Sequence, residues 1–265
     1  MKRSRREELK LVFSLIEVGD SKEISVGNLN TNFKSMAGAV DGIEVLRILV
    51  HTMRELGITD TFEENGKTIS ALATIKKIEK KGTWGHIESA ELSFQYGIAG
   101  NYGHCFVSIQ EKNASSAGDW ERWVLPFLGK SGFIQAWIFD VEYDYWQNAK
   151  DLMEYENAGR DYAGLPLRSN GLPPPLEQLE IDTSCNPGRW HLRSGYVEAI
   201  GPVMWLGELF WNVVGESHRS RLRDNDWLKA IEMSHGILKI QVLNCQFSSG
   251  ETAEIQDRLR ALLYS

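Results

Sequence analysis

The run Phe133-Ile-Gln-Ala-Trp-Ile-Phe139 constrains this chain more than any other stretch. Six of its seven residues are apolar. A strand turns successive side chains to opposite faces, so a strand over 133–141 that is apolar on both faces must be covered on both. Its place is in the middle of a sheet. Residues 88–96 alternate instead: Ala90, Leu92, Phe94 and Tyr96 on one side, Glu91, Ser93 and Gln95 on the other. That pattern predicts a strand with one face on a core and one in water.

The remaining periodicities fill in the order of elements. A strand is expected over 11–18. A helix is expected over 41–56, where Ile43, Leu46, Val50, Met53 and Leu56 recur at helical steps, with Asp41 and Glu44 as a capping box and Gly57 as the stop. Glu64-Asn65-Gly66-Lys67 signals a turn into a strand over 69–78. Residues 97–103 read as a turn and 104–110 as a returning strand. Asp119 is placed to cap a short helix over 120–128, which Pro126 disturbs.

Gly159, Gly164, Pro166, Gly171 and Pro173-Pro174-Pro175 make 157–176 a connector with polyproline character. A boundary there gives lobes over 1–160 and 161–265, which can also close into one compact domain. The second stretch offers a segment at 176–184, a strand around Trp190 and a segment at 196–211. A helix over 225–233, a strand over 237–243 and a final helix over 251–263 follow. The fold class expected is α+β, mostly antiparallel sheets with flanking helices in two lobes.

A net charge of −7 argues against general nucleic-acid binding, which needs a basic footprint, and suits a basic partner. No apolar stretch is long enough to span a bilayer, so no membrane association is expected. Residues 1–10 are basic, but 11–20 are a short apolar run containing Glu17, with no small-residue cleavage site. No signal peptide is expected, and the cytoplasm is the expected location. Cys105, Cys185 and Cys245 are too scattered for a disulfide framework or a zinc site and read as buried thiols.

Motifs for nucleotide cradling and for a nucleophile elbow are missing from the sequence. His86-Ile-Glu88 lacks the second half of a deaminase signature. His104 and Cys105, adjacent on a strand, point to opposite faces and cannot pair as base and nucleophile. Cys185 and His191 flank a turn with no orienting acid beside them. Trp205 and Trp211 read as core.

The chemistry-bearing stretch is 140–161, with seven carboxylates against two bases and Tyr143, Tyr145, Trp146 and Tyr155 threaded through it. If the strand continues past 140, Asp140, Glu142 and Asp144 share a face, where they can hold a divalent cation for a small metal-dependent hydrolase. A solvated loop and a protein-docking face are the other two readings; the aromatic rings favour the docking face.

Trp84-Gly85, the strand Ala90-Glu-Leu92-Ser93 closing at Gly97, Phe106-Val-Ser-Ile109, Ile134-Gln-Ala136-Trp137-Ile-Phe-Asp140 and the closing Gln256-Asp-Arg-Leu-Arg260-Ala-Leu-Leu form a joint pattern. It resembles the bacterial polymorphic-toxin immunity family numbered fifty-two. The resemblance implies a cytoplasmic antitoxin that neutralises a nuclease toxin delivered by a type VI secretion system. It implies a binding protein with no catalytic residues, no cofactor and no metal. The toxin-contact residues expected are Asp140, Glu142, Asp144, Tyr145, Trp146, Glu154 and Glu156.

Overall fold

The computed structural model describes residues 5–18, 22–26, 29–33, 36–223, 225–243 and 245–265. The run that opened the sequence reading is β10 below, and all eight of its residues are buried. In chain order the first elements are β1 (Glu7–Glu17), β2 (Lys22–Val26), β3 (Leu29–Phe33), β4 (Met36–Gly38) and α1 (Gly42–Glu55). Then come β5 (Thr61–Glu64), β6 (Lys67–Ser70), α2 (Ala71–Lys81), β7 (His86–Glu88), β8 (Leu92–Ala99), β9 (His104–Glu111), α3 (Trp120–Leu128) and β10 (Phe133–Asp140). The chain continues through α4 (Val141–Asn148), α5 (Leu152–Asn157), β11 (Leu167–Ser169), β12 (Leu179–Ile181), β13 (His191–Arg193), β14 (Tyr196–Glu198) and β15 (Val203–Leu206). It closes with α6 (Glu208–Val214), α7 (Glu216–Arg223), β16 (Leu228–Glu232), β17 (Leu238–Val242) and α8 (Ala253–Tyr264).

The fold is α+β, as expected. An eleven-stranded antiparallel sheet runs β16-β17-β15-β10-β1-β9-β8-β7-β5-β6, with β4 added beside β1. It does not close into a barrel. β10 lies between β1 and β15, so it is internal, as its two apolar faces require. β15 pairs with β10 from Gln135↔Leu206 to Ile138↔Val203, and one sheet therefore spans residues on both sides of position 160.

The two faces of the sheet carry two cores. Leu9, Leu11 and Phe13 of β1 pack with Ala136, Ile138 and helices α1, α2 and α3. Val12, Trp137, Phe139, Met204 and Leu206 pack with α6, α7 and α8. Opposite Val12 and Phe13, β10 carries one extra residue, Ile134, as a bulge. It breaks the alternation of β10, so Phe133 joins the first core while Ile134 and Gln135 both turn to the second. Gln135 is fully buried and answers the backbone of Val197 twice. Its Nε2 donates to the Val197 carbonyl at 2.9 Å, and the Val197 N–H donates to its Oε1 at 3.1 Å. A polar residue sits in the central strand at little cost because both ends of its amide are matched.

Several expectations hold closely. Asp41 caps α1 through the N–H groups of Ile43 and Glu44, Asp119 caps α3, and Pro126 lies inside α3. Trp205 and Trp211 are each 1% exposed in the cores.

Others are corrected. Residues 71–81 form α2 rather than a strand over 69–78. Ser70 caps the helix, and the buried Ala71, Thr74 and Ile78 have helical spacing. The helix expected over 225–233 is the edge strand β16, paired to β17 from Leu228↔Val242 to Glu232↔Leu238. Pairing at the sheet edge overrides its weak local pattern. Ala90 is exposed and precedes β8, because Ser89 holds a turn through the Leu92 N–H. β8 runs on to Ala99, with Gly97 inside it. A Cβ at Gly97 would meet the Phe106 ring at 2.6 Å, so the glycine admits that ring. The three cysteines are free, but Cys185 is exposed, contrary to the expectation of buried thiols. Among the described residues no helix is long and apolar enough to cross a membrane.

Candidate functional site

β10 ends at Asp140, and the chain turns directly into a helix. Asp140 is the N-cap of α4, accepting the Tyr143 N–H at 2.7 Å, with Glu142 and Asp144 in the first turn. Acids at these positions favour the positive end of a helix and so stabilise the turn. A continuing strand over 140–144 is therefore corrected to a cap and a helix. Glu142 and Asp144 lie about 200° apart around it, so the shared face proposed for a cation does not exist. Among the described residues no three His, Cys, Asp or Glu side chains are grouped to hold a metal ion.

The expected contact residues have separate fates. Asp140 is 8% exposed and is met by the Arg5 guanidinium at 3.0 Å. With Glu142 it lines a cleft of about 580 Å3 that Arg6, Tyr143 and Arg160 also line, so carboxylates and guanidiniums share it. Asp144 turns toward β1 and Trp190. Burial pushes its carboxyl up to about 7, against the nearby Lys10 charge, and the Glu8 carboxylate adds to the rise. The Lys10 ammonium lies 5.8, 5.6 and 5.7 Å from the rings of Phe106, Phe139 and Trp190. Glu8 accepts from the Ser108 hydroxyl at 2.6 Å, so these groups form a half-buried cluster at the foot of α4.

The aromatic residues meet one another. Tyr145, Trp146, Tyr155 and Tyr162 form a chain of edge-to-face contacts with ring centroids 4.9, 4.9 and 6.1 Å apart. The Arg160 guanidinium lies 4.3 Å over the Trp146 ring. Tyr155, Ala149 and Ile181 are the buried centre of a third small core, with Trp146, Leu152 and Tyr162 packed on it. Trp146 is thus a packing residue. Tyr145, 46% exposed, is the one of these four rings that stands well out into solvent. Burial and the neighbouring Glu154 carboxylate push its phenol up. Glu156 accepts from the Tyr162 hydroxyl at 2.8 Å and stays exposed, as do Asp151 and Asp161.

This small core holds the root of a projecting arm. β11 and β12 pair only with each other, Leu167↔Ile181 to Ser169↔Leu179, β11 lying inside the connector expected over 157–176 and β12 in the segment expected over 176–184. The outgoing leg starts at α5, and the return leg is gripped by the last turn of α4. The Gly188 N–H donates to Gln147 Oε1 at 2.9 Å, the Trp190 N–H donates to Asn148 Oδ1 at 2.9 Å, and Asn186 Nδ2 donates to the Gln147 carbonyl at 2.8 Å. A Cβ on Gly188 would come within 2.7 Å of the Gln147 side chain, which explains the glycine at this close approach.

His104 and Cys105 point apart as expected. Cys105 lies in the first core, and burial pushes its thiol up to about 11 and the His104 imidazole down. His86 Nε2 lies 2.9 Å from Glu88 Oε1 on the exposed strand β7.

No family model, no curated protein and no solved structure matches the chain.

Proposed function

We propose that this chain is a binding protein: an immunity protein that neutralises a nuclease toxin delivered by a type VI secretion system. Its action is protein–protein contact, without catalysis and without a cofactor. The observation that carries the binding reading is the charge of one surface module. Residues 149–182 hold seven carboxylates against three bases, a net of −4 in a chain of −7, and Asp151, Glu156, Asp161 and Glu177 are exposed. The identity of the partner as a nuclease rests on the sequence resemblance to the immunity family. The two fit physically: a nuclease site must attract phosphates, and surface carboxylates steer encounter with such a site.

Of the contact residues expected from sequence, Glu142, Tyr145, Glu154 and Glu156 keep a rim-contact role in this reading, through their side chains alone. Asp140, Asp144 and Trp146 take structural ones.

The test is co-expression with the product of the gene adjoining that of this chain, which this reading requires to be a nuclease toxin. Rescue of growth and co-purification of the pair support the reading. Unrelieved toxicity with the chain present in soluble excess would sink it.

A further inference from the structure

Every residue from Ala163 to Leu179 except Asn170 is exposed. Within that span Leu165, Leu167, Leu172, Leu176 and Leu179 are 38%, 46%, 50%, 61% and 59% exposed, with Met153 at 63% on α5 at the arm's root. Exposed leucines scattered singly mean little, but five within fifteen residues is a concentration that solvent alone does not favour. The leucines come from a segment with few fold duties. Ile181 alone of the β11–β12 apolar residues enters a core, while Leu167 and Leu179 stand on the same face of the hairpin and remain outside.

The loop that displays them is ordered by its one inward residue. Asn170 Oδ1 accepts the N–H groups of Leu172 at 3.1 Å and Gln178 at 3.2 Å, and its Nδ2 donates to the Leu176 carbonyl at 3.1 Å. Ser169 Oγ donates to Glu177 at 3.0 Å, and the Leu176 N–H donates to the Pro173 carbonyl at 2.9 Å. Pro173, Pro174 and Pro175 remove further backbone freedom between the leucines. The entropy of fixing this loop is thus spent in the free protein, which favours binding through it.

We infer that the 163–180 arm is the docking element of this chain. Its leucines enter an apolar groove on a basic protein while the carboxylates at its root meet the basic rim. The charge selects the occupant. A second copy of the chain would set one net −4 module against another, whereas a cationic surface is complementary. This inference rests on the immunity reading, which supplies the basic protein, and it moves the main contact from the α4 face to the arm.

The experiment uses the full chain and the adjacent-gene nuclease, made inactive, as the probe. The triple variant Leu172→Ser, Leu176→Ser, Leu179→Ser is compared with the parent by titration calorimetry. Expected is a loss of affinity of about 100-fold or more, the size of removing a hot-spot cluster, with an unchanged thermal midpoint. Asn170→Ala, which loosens the loop and keeps every leucine, weakens binding by roughly 10-fold through lost preorganisation. Parent and triple variant binding within about threefold of each other, below the spread of ordinary interface positions, overturns the arm and leaves the immunity reading standing. A parent that does not bind the nuclease overturns both. A parent that sediments as a dimer, made monomeric by the triple variant, overturns the basic partner in favour of a second copy.

Discussion

The 140–162 run and the 163–180 arm adjoin in sequence and differ in where they put their apolar groups. In the run, Trp146 and Tyr162 both meet Tyr155, Asp140 caps a helix, and Asp144 is half-buried beside Lys10 and Trp190. In the arm, five leucines stand in water on a loop braced by one asparagine. A patch rich in rings and acids is what a docking face looks like in composition. Here the richer composition builds the support, and the plainer segment is the one whose apolar groups stay exposed.

Substitutions separate the two regions, and the largest effect belongs to the support. Tyr155, 5% exposed at the centre of the third core, should cost about 3 kcal/mol of stability as Tyr155→Ala, the scale of an aromatic truncation. Urea unfolding measures it, and a loss below about 1 kcal/mol, the size of an average substitution, would show that the ring chain holds nothing together. The leucine triple variant should do the reverse, with affinity lost and stability within about 0.5 kcal/mol of the parent.

Asp144 gives a pH signature. Its carboxyl titrates near 7 when folded, against an ordinary 3.8, so folding takes up a proton between those values. The stability associated with this group is full below 3.8 and is lost as pH rises through about 7, with a slope of at most about 1.4 kcal/mol per pH unit. Asp144→Asn should flatten that slope and leave the variant more stable than the parent at pH 8 and equal to it at pH 3. Parallel curves for the two proteins would mean that Asp144 is solvated.

The smallest expected effects are at the cap and the rim. Asp140→Ala should cost about 1 kcal/mol of stability as a lost N-cap and leave affinity for the nuclease alone. Charge reversal at the exposed Glu156 should slow association severalfold at low salt and less at high salt, as rim charges do. Stopped-flow rates at two ionic strengths read this directly.

The sequence made the sheet legible where periodicity was strong. β10 showed its central place through two apolar faces, and α1 and α3 showed their caps. It was misleading where tertiary pairing decides. β16 is a strand because β17 lies beside it, and 140–148 is a helix because Asp140 closes its first turn. The spacing of two among Asp140, Glu142 and Asp144 suggested a shared face only under the wrong period. The leucines of the arm carried a usable signal: Leu172, Leu176 and Leu179 stand at helical steps of four and three, but Pro173-Pro174-Pro175 lie between them and forbid the helix that would bury them together. Which rings would pair with each other is not a one-dimensional property, since Trp146 meets Tyr155 only after α4 and α5 fold back.

The most direct test of the arm against the run is hydrogen–deuterium exchange of the full chain with and without the proposed nuclease partner. The arm amides are held by Asn170 and the β11–β12 pairing with no core over most of them, so they open by local unfolding more readily than the amides of α4. The account predicts new protection over 163–180, with little change over 141–148. Protection confined to 141–148, with an arm that exchanges as fast as before, would contradict it.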